Sequence, residues 1–229
     1  VPIISSINAL NSRVTLTFSK TISEAHIDET GNWVPVVTFN DGSSYKISIL
    51  DENGDYSMCL HSVRYTAGTN ILEIITPGAQ PGTQYNMTVY KGPEFTQVET
   101  TGSFTFPVDT LPPEYITGYP KVQNVSSNTA DLAIQTHEFG KTYYVALLTD
   151  ELSQYPGYEP ATADAVMNWN PDSYDQLSSW SGSFGLYGDP ASITINQLRS
   201  NAGYKVYVVA KDEFGNLTPS ISVIDFQTL

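Results

Sequence analysis

The chain has a single cysteine, Cys59, and three scattered histidines, His26, His61 and His137. One cysteine cannot close an intramolecular disulfide, and a zinc centre of Cys and His ligands is short of donors. Basic residues are scarce: ten Lys and Arg face 24 Asp and Glu, for a net charge of −14. Such a surface repels phosphates, so no nucleic-acid partner is expected. No apolar run reaches the roughly 20 residues of a membrane span, so no membrane insertion is expected. Charge of either sign is low, at 15% of residues. Aromatic residues are not scarce: 15 Tyr, 9 Phe and 3 Trp argue against disorder. Ser and Thr, 23 and 24 of the 229 residues, supply much of the polar surface. Hydroxyl-rich, lysine-poor surfaces are common on secreted all-β proteins. The chain begins at Val1 with neither an initiator Met nor a signal peptide, as a processed extracellular or cell-surface protein does, and as a piece excised from a longer chain does equally.

Strand signals dominate. Residues 13–18 (RVTLTF) and 44–50 (SYKISIL) alternate polar and apolar side chains, as half-buried strands do. Further strands are expected at 33–39, 56–65, 70–76, 85–90 and 102–106. Asn53-Gly54 reads as a hairpin turn. A proline-rich break at 107–113 separates these from a second set, at 121–125, 130–136, 142–148, 192–198, 204–210 and 220–226. Short strands at this spacing indicate an all-β fold of two tandem β-sandwiches, residues 1–108 and 109–229. Residues 149–190 break the strand pattern. They read as an insertion in the second sandwich with one short helix near Ala161–Trp169.

Each half carries a similar device. Leu198-Arg-Ser-Asn-Ala-Gly-Tyr204 precedes a strand that runs into Lys-Asp-Glu-Phe-Gly-Asn216, and Pro81-Gly-Thr-Gln-Tyr85 has the same form with Ala79 in the Leu position. These residues resemble the tyrosine corner of fibronectin type III modules, so Tyr85 and Tyr204 are expected to pin a turn between sheets. The first half also resembles the Ig-like repeats of bacterial surface-layer proteins. It does so through its Ser-Ile-Asn-Ala-Leu-Asn start, its Val-Thr-Leu-Thr-Phe-Ser-Lys strand and its Pro-Gly-Thr-x-Tyr-x-x-Thr-Val segment. The resemblance implies Ig-like and fibronectin type III-like sandwiches with architectural or adhesive roles.

No Gly-x-Ser-x-Gly elbow, His-Glu-x-x-His helix or phosphate-cradling glycine loop is present, and no catalytic residue is expected. No cofactor is assigned. Calcium is admitted without an assigned site: residues 51–55 (DENGD) start like an EF-hand loop but lack its Gly and final Glu. A second place for it is the junction of the two halves, where Asp109, Glu114 and Asp212-Glu213 can converge, since hard cations often stiffen tandem sandwich modules. Sequons at Asn86, Asn124 and Asn216 are candidate glycosylation sites, although three is about the number that chance gives with 14 Asn. Cys59 reads as a small buried hydrophobe.

Two surfaces are candidates for contact. The apolar start, with Val1, Ile3, Ile4 and Ile7, can form the first strand of its own sheet or add to the edge of a neighbouring copy. The aromatics of the insertion, above all Trp169, Trp180 and Tyr187, can stack on glycans or a protein partner, or form the insertion's own small core. The leading expectation is an extracellular structural subunit, not an enzyme, that self-associates into a surface layer, fibre or filament. The alternatives are an adhesin or carbohydrate-binding module, or spacer domains of a larger secreted enzyme.

Overall fold

The structure is a computed structural model that describes residues 4–10, 12–30, 33–56 and 60–229. The chain divides into two compact units, Val1–Asp109 and Thr110–Leu229. Val1, Ile3 and Cys59 lie outside the described residues.

Among the described residues of the first unit nine strands form two antiparallel sheets. They are β1 (Ile4–Leu10), β2 (Arg13–Phe18), β3 (Ile22–Asp28), β4 (Val34–Phe39), β5 (Ser44–Asp51), β6 (Ser62–Tyr65), β7 (Ile71–Ile75), β8 (Gln84–Lys91) and β9 (Gln97–Thr105). One sheet has the order β1-β2-β7-β6 and the other β3-β4-β5-β8-β9. Without the β3–β4 hairpin this is the four-on-three strand order of an immunoglobulin constant-type sandwich. Alternation makes the core: Val14, Leu16 and Phe18 of β2 pack with Ile47, Ile49, Tyr85, Met87 and Val89. The hairpin strand β3 is absent from the sequence reading because Glu24, His26 and Asp28 give it the polarity of a loop. It is an edge strand, so Glu24 and His26 remain in solvent, and Asp28 pairs with Lys46 at 3.1 Å.

The Asn53-Gly54 turn is not a hairpin. It leads from β5 in one sheet towards β6 in the other. Asp51 closes it: its Oδ1 accepts the N–H groups of Asn53 (2.9 Å) and Asp55 (3.0 Å), and Gly54 takes the left-handed φ of 84°. The second unit repeats the device at its own Asp-Glu-x-Gly-Asn run. Asp212 Oδ1 accepts Phe214 N–H (2.9 Å) and Asn216 N–H (2.8 Å), with Gly215 at φ 98°. The two carboxylates are buried, and each replaces water at amides that the turn turns away from any ladder.

The second unit contains β10 (Lys121–Gln123), β11 (Thr129–Ile134), β12 (Phe139–Leu148), α1 (Thr149–Gln154), α2 (Ala163–Met167), β13 (Ser179–Tyr187), β14 (Ala191–Asn196), β15 (Gly203–Asp212) and β16 (Ser222–Gln227). Its sheets are β10-β11-β14 and β13-β12-β15-β16. The irregular segment is shorter than the expected 149–190, because β13 pairs with β12 from Phe139↔Tyr187 to Leu147↔Ser179. Gly182 and Gly185 hid this strand. Gly182 leaves space for Tyr144: a Cβ there would lie 3.0 Å from the Tyr144 hydroxyl. Residues 149–178 hold two short helices and a 3-10 turn at Pro171–Ser173, where one helix was expected. Thr162 caps α2 by accepting Ala165 N–H at 3.1 Å.

Candidate functional site

The run Tyr143-Tyr-Val-Ala-Leu-Leu148 does not alternate, and neither does Val206-Tyr-Val-Val-Ala210. Strands buried on both faces read this way. Tyr144, Ala146 and Leu148 face the sandwich core with Tyr204, Val206, Val208 and Ala210. Val145, Leu147, Tyr207 and Val209 face the other way and are buried under Leu152, Val166 and Leu177 of the 149–178 segment. The segment is therefore a third layer with a core of its own.

Polar contacts fix the layer at its rim. Glu151 of α1 is paired with Arg199 at 3.0 Å, and its Oε1 accepts the Ser178 hydroxyl at 3.1 Å. Arg199 donates in turn to Ser178 Oγ at 2.7 Å. The buried Tyr207 donates its hydroxyl to the exposed Glu159 at 2.6 Å. Burial, and then the Glu159 carboxylate, push the Tyr207 phenol well above its ordinary range; burial also raises Tyr144. Such groups hold their protons more tightly folded than unfolded. Their contribution is complete below the unfolded tyrosine pKa of about 10 and is lost as pH rises beyond it. Melting followed from pH 8 to 12 should show the second unit losing stability above about pH 10. Tyr207→Phe should flatten that decline; an equal decline in the variant would remove Tyr207 as its source.

The three contact aromatics separate. Trp169 stacks on Tyr174, with ring centroids 4.3 Å apart, and its indole N–H donates to Ser179 Oγ at 3.2 Å. Trp180 points from β13 into the sandwich, edge-on to Tyr204 at 5.4 Å. Tyr187 is 54% exposed and lies over Gly185 with an edge contact to Phe139. Tyr155, Tyr158 and Tyr174 are half-buried against the layer's core.

Tyr85 and Tyr204 are fully buried. The Tyr85 hydroxyl accepts Gln80 N–H at 3.0 Å, and the Tyr204 hydroxyl accepts Arg199 N–H at 2.6 Å. Each hydroxyl thus reaches the backbone five residues upstream, one residue past Ala79 or Leu198. Among the sequons, Asn86 is exposed on β8. Asn124 donates its amide to Asp131 at 2.8 Å, and Asn216 donates to Asp212 at 2.7 Å. At the start of the chain, β1 pairs with its own β2 from Ile4↔Phe18 to Leu10↔Arg13, and Ile4 and Ile7 pack on the first core. Among the described residues no helix is long and apolar enough to cross a membrane.

The strand order and the two corners define a class: tandem β-sandwich modules, the first immunoglobulin-like and the second fibronectin type III-like. No family model and no curated protein matches the sequence. Solved structures are similar in fold. The FN1–FN3 domains of chicken CNTN1 are 13% identical, with 98% of this chain and 66% of that one covered and a TM-score of 0.30. A two-domain fibronectin type III segment of chicken tenascin is 10% identical over 100% and 98%, with a TM-score of 0.30. Native alpha-2-macroglobulin from Escherichia coli, spanning domains MG0-NIE-MG1, is 10% identical over 100% and 71%, with a TM-score of 0.41.

Proposed function

We propose that the chain is an extracellular structural subunit whose sandwich modules associate with further copies into a layer, fibre or filament. The observation that carries this reading is the use made of the polar side chains most conspicuous in the sequence. Tyr85, Tyr204, Asp51, Asp212 and Glu151 are all engaged by the fold's own backbone or by a neighbouring rim residue. They brace turns and a covering layer. A non-enzymatic role, extracellular placement and a carbohydrate chain on the exposed Asn86 belong to the same reading.

Electron microscopy and particle-mass measurement of the native protein test it. Assemblies of regular repeat are expected, and single particles at every concentration would overturn it. Deleting residues 1–6 tests whether the first strand is the donor. Assembly that survives the deletion assigns the contact to another edge.

A further inference from the structure

Sandwich sheets end in open edges, and an open edge offers half its backbone N–H and C=O groups to any extended strand. Proteins blunt such edges with charge, bulges, proline or short length. Nearly all edges here carry one of these. β3 has Glu24 and Asp28 together with a bulge. β9 is irregular opposite Val89 and Tyr90 and contains Glu99. β16 contains Asp225, and β6 and β10 are four and three residues long. β1 is bulged between Ile4 and Ser6, and β14 is a six-residue strand directly after Pro190.

β13 carries none of them. It is nine residues long and pairs with β12 without a register shift. Residues 176–188 contain no charged side chain and no proline. No strand among the described residues pairs with its outer side, and Ser181, Gly182 and Ser183 are exposed.

We propose that β13 is the edge through which two copies of this chain join, antiparallel and about a two-fold axis at Ser183. The inference rests on the self-association reading and names its contact. Two arguments choose a second copy as the occupant. The first is electrostatic. In a two-fold antiparallel pair the strand meets its own sequence reversed, so like charges are brought close and destabilise it. In a chain of net charge −14, a nine-residue edge without charge is where a second copy approaches at least cost. The second is shape. With Ser183 opposite Ser183, Gly182 falls opposite Phe184 and Ser179 opposite Tyr187, so these two large side chains meet small ones, while Trp180 and Leu186, also opposite, are packed in the core of their own copy. The join makes one eight-stranded sheet from two four-stranded ones.

Sedimentation equilibrium of the whole protein and of Ser183→Lys tests the proposal. Lysine at this exposed position meets itself across the axis. The wild type is expected to form dimers of the 25.1 kDa chain, or larger assemblies. The variant is expected to weaken association at least about tenfold with its melting temperature unchanged, since a surface substitution of this kind alters stability little. Thr101→Lys on β9 should leave association as it was. Ser183→Cys in a Cys59→Ser background gives a second readout that survives if the lysine variant folds poorly: facing residues of an antiparallel pair lie within disulfide reach, so oxidation should yield a covalent dimer. Undiminished association in Ser183→Lys, with no covalent dimer from Ser183→Cys, overturns the β13 contact and leaves self-association standing. A wild type that stays monomeric overturns both.

Discussion

Replacing Gly140 by alanine is expected to cost the second unit about 3 kcal/mol or more. Gly140 lies in β12 between Leu186 of β13 and Asp212 of β15. A Cβ at this position would sit 2.1 Å from the Lys211 carbonyl oxygen and 2.8 Å from the Asp212 Cα. Both are backbone atoms, so no rotamer change relieves the overlap. Yielding requires β12 and β15 to separate at the point where Asp212 starts its capped turn. The proper comparison is Gly118→Ala, because Gly118 has a left-handed φ of 90° with nothing within 4 Å of the added carbon. That substitution meets only backbone strain, about 1 kcal/mol. Guanidinium unfolding of the two variants should differ accordingly. A Gly140→Ala loss no larger than that of Gly118→Ala would show that the strands part easily.

The second large effect concerns the covering layer. Replacing residues 150–178 by a short Gly-Ser segment should leave a second unit that binds a hydrophobic dye and aggregates. Val145, Leu147, Tyr207 and Val209 are buried by that layer and would face water without it. Full burial of such a side chain contributes about 1.5–3 kcal/mol. Four of them come to about 6–12 kcal/mol, the same size as the whole margin of a typical domain, about 5–15 kcal/mol. The expectation carries its own rescue. Threonine at Val145, Leu147, Tyr207 and Val209 in the shortened chain should restore a soluble, monomolecular melt, because threonine suits the solvent face of a strand. Dye binding that stays low in the shortened chain without those threonines would show that the layer is dispensable.

What could be read from the sequence follows from solvent exposure. β2 and β5 were legible because one face of each meets water and the period of two survives in the residues. β3 was not, because an edge strand with Glu24, His26 and Asp28 carries the polarity of a loop. β13 was not, because Gly182 yields its place to the Tyr144 ring. The third layer was legible only indirectly. Tyr155, Tyr158, Trp169 and Tyr174 have the same composition whether they cover a sheet or face a ligand. The informative signal lay elsewhere, in the missing alternation of β12 and β15, where two buried faces remove the period. The Asp51 and Asp212 turns offered a second unread signal, the shared Asp-Glu-x-Gly followed by Asp or Asn. It reads as the start of a cation loop, and in the structure the first carboxylate of each run accepts the amides inside its own turn.

Candidate site residues divide in the same way. Tyr85 and Tyr204 were found from the turn and the Tyr that follows it, because a hydroxyl that crosses a corner needs a fixed chain length. Trp169 and Trp180 were found as aromatics, but no spacing rule distinguishes a ring engaged by Tyr174 or Tyr204 from an open one.

The covering of β12 and β15 from both sides also orders the unit in time. Their central amides are shut in by neighbouring strands and by apolar matter above and below, so deuterium should reach them last. The layer itself can settle only on a platform that already exists. α1 and α2, too short to persist alone, are therefore expected to settle after β12 and β15 have paired.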